Sequence, residues 1–194
     1  MRTRRLLGIA LALAGLVGCS VFPARPPERL VLHDFGPAHS PQKRGVPVFI
    51  HVRAPSWLAG TRIPYRLLYR DPTAVRVYAD NRWLASPGAL LKARIRQHLG
   101  MGPYAGAPQR TLLRLVLHIA RFGQSFRTPE RAAVHLTVRM RLYRVATGAL
   151  LGSKTLALHA SCAPNVSGAV TGLSALGRKA ARAAARFVRA RSQP

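Results

Sequence analysis

Along most of this chain apolar side chains alternate with polar ones, the period of strands half buried on a core, and in two places the spacing widens to that of a helix. Residues 30–35 form a short run of strand type. In 46–53, Val46, Val48, Ile50 and Val52 share one face and Phe49, His51 and Arg53 the other, while Pro47 suits an edge or a first strand position. Residues 65–70 and 75–78 pair as a hairpin through Arg70, Asp71, Pro72 and Thr73, because Asp and Pro both favour turns. Ser86 reads as an N-cap, Pro87 as the first helical position and Gly100 as the C-terminal cap, which predicts a helix over 86–99. Leu91, Ile95 and Leu99 line its apolar face, and Lys92, Arg94 and Arg96 read as its solvated side.

After a loop at 101–109 rich in Gly and Pro, the alternation returns three times. Leu113, Leu115, Leu117 and Ile119 alternate with Arg114, Val116 and His118; Val134, Leu136, Val138, Met140 and Leu142 alternate with His135, Thr137, Arg139 and Arg141. Past a turn at Ala146, Thr147 and Gly148, Leu156, Leu158 and Ala160 alternate with Ala157 and His159. Short connections make these three strands an antiparallel meander. Residues 168–191 return to helical spacing, with Val170, Leu173, Leu176, Ala180, Ala183 and Phe187 on one side and Arg178, Arg182, Arg186 and Arg189 on the other. This order predicts an α+β fold: a single two-layer domain over residues 30–191, with a mostly antiparallel sheet and two helices packed on one face.

Arg2, Arg4 and Arg5 precede an apolar run over 6–17, which reads as an export signal over residues 1–18 and is too short for the roughly 20 residues of a spanning helix. Leu16, Val17, Gly18 and Cys19 resemble a bacterial lipobox, so Cys19 is the expected lipidation site and residues 19–29, with Pro23, Pro26 and Pro27, a stiff tether. Acyl chains there would hold the domain on a bilayer essentially permanently, at about 0.8 kcal/mol per buried methylene. Ser20 stands where Asp typically signals inner-membrane retention of lipoproteins, which implies the periplasmic face of the outer membrane.

The chain carries 31 Lys and Arg against five Asp and Glu, a formal charge of +26, yet 48% of it is apolar. That apolar fraction builds a core and excludes a disordered polybasic tail. Loss of the signal takes three of the 31 basic residues and leaves 28. An exported chain without a basic helix interleaved with aromatics does not take nucleic acid as its partner. The remaining anionic partners are lipid headgroups, lipopolysaccharide phosphates and an acidic protein, against the plainer reading of a solvated basic surface.

Catalytic chemistry has little to work with. The five acids, Glu28, Asp34, Asp71, Asp80 and Glu130, are scattered without a close pair, and no histidine has a second ligand at HExxH spacing. Convergence of His118, His135 and His159 would be needed for a metal site, and surface histidines are the simpler reading, so neither metal nor cofactor is expected. Residues 172–176 depart from the GxSxG nucleophile pattern at Leu176 and fall inside a predicted helix. Cys162 reads as a buried free thiol at the end of the last strand. A binding or structural protein, not an enzyme, is expected.

IPYRLLYR at 63–70, VRVYADNRWLASP at 75–87 and VTGLSAL at 170–176, following the lipobox, resemble the ABC-type transport auxiliary lipoproteins, the PqiC-like family, over residues 19–190. The resemblance implies an outer-membrane-anchored accessory of a lipid-transport system that binds an MCE-type periplasmic protein and self-associates into a ring. Charge alone offers the alternative of a lipopolysaccharide- or envelope-binding assembly lipoprotein. Tyr78 and Trp83 stand as aromatic anchors of the helix on the hairpin or as docking residues. Arg139 and Arg141, with His51, Arg53, Arg114, His118 and His135, are expected on the outward sheet face, where they would meet an anionic partner.

Overall fold

The computed structural model describes residues 29–37, 45–100 and 112–192. The signal, Cys19, nearly all of the tether and the 101–109 loop lie outside the described residues. In chain order come β1 (Val31–His33), β2 (Val48–Arg53), a 3-10 turn (Ser56–Leu58), β3 (Arg62–Leu67), β4 (Arg76–Trp83) and α1 (Pro87–Leu99), then β5 (Leu113–Thr128), β6 (Arg131–Arg144), β7 (Leu150–Cys162) and α2 (Val166–Ser192). The strands form one sheet in the order β1, β4, β3, β5, β6, β7, and β2 also pairs with β5. The long ladders, β5 with β6 and β6 with β7, are antiparallel, as is β3 with β4. The contacts of β1 with β4 and of β2 and β3 with β5 are parallel. This is an α+β fold with both helices on one face of the sheet.

Local signals in the sequence account for the elements. Asp71 Oδ1 accepts from the amides of Thr73 and Ala74 and from the Thr73 hydroxyl, closing the β3–β4 connection. Ser86 Oγ accepts from the Ala89 amide at 3.3 Å, and Gly100, at φ 65°, ends α1 in the left-handed region that a Cβ disfavours. The inward rows of β5 and β6, from Leu113 to Ile119 and from Val134 to Leu142, meet Leu173, Leu176, Ala180, Ala184 and Phe187 of α2. Small residues let that helix come close: a Cβ at Gly177 would stand 2.6 Å from the Phe35 ring.

One assignment changes and one alternative is decided. Arg94 does not belong to a solvated side; it is 7% exposed, and its guanidinium donates to the carbonyls of Gly36 and Pro37. Arg178 of α2 donates to Phe35 O at 2.8 Å and Ser174 to Asp34 O at 3.0 Å. Four consecutive carbonyls of the irregular segment after β1 are thus held by side chains of the two helices, which answers the cost of leaving such groups unpaired. Trp83 is fully buried and packs edge-on against Phe35 and Phe122, with ring centroids 5.6 and 5.7 Å away, so it belongs to the core and not to a docking surface.

β5 is longer than its first alternation. A register shift between Ile119 and Arg121 moves the inward set from odd to even positions, so that Phe122, Gln124 and Phe126 continue the buried row.

Candidate functional site

Alternation places the other half of each strand on the face without helices. Across the register, Arg53 lies beside His118, His118 opposite Arg139, and Arg139 opposite Thr155; one row on, His51 lies beside Val116, followed by Arg141 and Ser153. His51, Arg53, Arg114, His118, Arg139 and Arg141 are all exposed. The Arg114 guanidinium sits over the Tyr143 ring, 5.3 Å from its centre. The structure therefore brings Arg139 and Arg141 together with the rest of the expected basic face.

Tyr78 is set apart from that face. Its hydroxyl donates to Gln124 Oε1 at 2.6 Å, its ring packs on Tyr65 at 4.7 Å, and burial, with the neighbouring Tyr65 and Cys162, pushes its pKa up to about 12. Gln124, almost fully buried, passes the connection on by donating to Ala163 O at 3.0 Å and to Cys162 Sγ at 3.2 Å. Cys162 is half-buried at the last position of β7. This chain of contacts ties β4 through β5 to the turn that starts α2.

Beyond the register shift the open face becomes concave. Ser125, Ala133 and Ser161 lie side by side on β5, β6 and β7, and these small side chains leave a groove of about 750 Å³ near the β5–β6 turn. Arg121, Arg127, Arg131, Glu130, His135 and His159 also line it. Ser125 Oγ and His135 Nε2 are 2.8 Å apart, and the His135 and His159 rings stack at 6.5 Å. Burial first, then Arg121, His159 and Arg127, pushes the His135 pKa down to about 4. At neutral pH this imidazole is uncharged, and so weak a base takes a hydroxyl proton poorly. The pair is better suited to presenting hydrogen-bonding groups than to activating a nucleophile.

The sequence reading missed Arg121, Ser125, Arg127 and Arg131. The signal available was the shifted alternation of Phe122, Gln124 and Phe126, which extends the strand and turns Ser125 outward. Among the described residues no three His, Cys, Asp or Glu side chains are grouped to hold a metal ion.

No protein-family model and no curated protein matches the sequence. Its fold is shared with protein XCC0632 from Xanthomonas campestris, of family DUF330, at TM-score 0.65 and 12% identity over 81% of this chain and 94% of that one. A crystal structure of an uncharacterized protein is similar at TM-score 0.61 and 15% identity, over 83% of this chain and 99% of the other. These likenesses show the fold alone. Lipoprotein GNA1162 from Neisseria meningitidis, at TM-score 0.28 and 14% identity over 69% of this chain and 95% of its own, is too distant to carry an argument.

Proposed function

We propose that this chain is a non-enzymatic accessory lipoprotein of an MCE/ABC-type lipid-transport system, anchored to the outer membrane through acylated Cys19 and binding the periplasmic MCE-type component. The observation that carries this reading is the sheet face without helices. Arg53, Arg139 and Arg141 project from it, and none makes an ion pair or hydrogen bond among the described residues, so an anionic partner would gain their full attraction. The lipobox and the resemblance of residues 63–87 supply the membrane and the transport system. Self-association into a ring belongs to the same proposal.

The test is co-purification of the full chain with an MCE-type protein encoded beside it, together with an ABC permease. Exposed charges interact over about 8 Å at physiological ionic strength, so retention should fall steeply with salt. Arg139→Glu with Arg141→Glu should abolish retention and leave the melting midpoint unchanged, and Cys19→Ala should remove the chain from the outer-membrane fraction. Retention indifferent to both salt and the double substitution would overturn the reading. Retention on lipopolysaccharide alone would establish the envelope-binding alternative instead.

A further inference from the structure

The groove at the β5–β6 turn differs from the rest of the basic face in shape and in its balance of charge. Its floor is hollow because three neighbouring strands present Ser125, Ala133 and Ser161 in one row. Arg121, Arg127 and Arg131 surround that hollow and make no hydrogen bond or ion pair among the described residues. The one carboxylate in the lining, Glu130, accepts from the Thr128 hydroxyl at 3.0 Å. Leu68 and Ala132 add apolar surface.

We propose that this groove binds the phosphate of a glycerophospholipid headgroup, held by Arg121, Arg127 and Arg131, with the Ser125 hydroxyl and the His135 imidazole as polar groups at its floor. The proposal rests on the lipid-transport reading for its choice of a lipid over another phosphate. Guanidinium forks match phosphate oxygens in paired hydrogen bonds, and several forks around one point suit a group with several acceptor oxygens. The volume, about 750 Å³, lies within the range of about 300 to 1,000 Å³ usual for small-molecule sites and far exceeds a lone phosphate. The excess and the apolar wall fit a glycerol backbone with the start of its acyl chains.

The groups facing His135 agree with this occupant. From β5 come Arg121, Arg127 and the Ser125 hydroxyl, and from β7 comes His159. No carboxylate offsets the positive field of these arginines at the imidazole. A phosphate seated among the arginines would offset their positive field and raise the titration midpoint of His135.

The experiment titrates the full chain with water-soluble dihexanoyl phosphatidylglycerol and, separately, with inorganic phosphate, following the imidazole resonances of His135 and His159. The lipid should bind one to one and raise the His135 midpoint, with inorganic phosphate weaker by about tenfold or more, a difference of about 1.4 kcal/mol. Arg121→Gln with Arg127→Gln should weaken the lipid by at least tenfold, whereas Arg139→Gln with Arg141→Gln, elsewhere on the face, should change it less than twofold. Equal loss in both pairs would reduce the effect to diffuse surface attraction and overturn the proposal. Inorganic phosphate binding as tightly as the lipid would overturn the lipid as occupant. The measurement contains no partner protein, so its outcome is separate from that of the co-purification.

Discussion

On the helix-covered side of the sheet Arg94, Arg178 and Arg189 donate to main-chain carbonyls of Gly36 and Pro37, Phe35 and His98. On the open side Arg121, Arg127, Arg139 and Arg141 hold nothing among the described residues. The same residue type thus serves structure where an irregular segment or a helix end leaves carbonyls to be bonded, and is free above the long β5–β6 ladder, whose strands bond to each other. With five acids in the chain, carbonyl oxygens take the part that carboxylates play elsewhere. Arg94 shows the cost: burial lowers its pKa, and the negative charge of Asp34 acts against that, though a guanidinium keeps its proton throughout. Arg189, reaching His98 O at 2.5 Å, ties α2 to the negative end of α1.

The contrast breaks most severely at Trp83, the anchor of the covered side. Trp83→Ala should cost about 3 to 5 kcal/mol, the usual loss for a core aromatic, measured by denaturant unfolding; an unchanged midpoint would return Trp83 to the surface. Next comes the arginine contrast itself. Arg94→Ala should cost about 1.5 to 3 kcal/mol, the range for hydrogen bonds to a charged group. Arg139→Ala should stay within about 0.5 kcal/mol, as surface substitutions do. Equal costs would erase the distinction between the two sides.

The smallest effect sharpens the picture of the open side. His135 titrates at about 4 in the folded chain against an ordinary 6.5, so the unfolded chain binds more protons between those values. Its lowered pKa takes nothing from stability above about pH 6.5, and stability falls as pH drops from there toward 4. His135→Gln should flatten that part of the stability profile, read as melting midpoint against pH; an unaltered slope would place the effect on other groups.

Elements that state their own boundaries were legible in the sequence. Ser86, Pro87 and Gly100 mark α1, and α2 shows its apolar stripe over many turns. The antiparallel meander was legible because strands with one buried face alternate strictly. The second half of β5 was not, since the register shift breaks the alternation and the row it turns to the open face holds Gly123 and Ser125. β7 was read only from Leu156 because an edge strand, exposed along much of its length from Leu150, carries a weak pattern. Arg94 was misread because helical spacing places a residue around an axis and says nothing of a loop arriving from the other end of the chain. The groove needed the turn at 128–131, which sets Ser125, Ala133 and Ser161 in one row.

β5 takes parallel partners, β2 and β3, that precede it in the chain, and antiparallel neighbours, β6 and then β7, that follow. As the polypeptide emerges from its N-terminal end, β2 therefore appears with its pairing edge unmatched, and the β3–β4 hairpin has only the three-residue β1 beside it. Closing those long-range contacts waits for the middle of the molecule, whereas β5 to α2 assemble from near neighbours, the arrangement that local contacts favour kinetically. A chain whose early strands cannot complete their sheet until its central strand arrives stays open at its leading end until that strand has emerged.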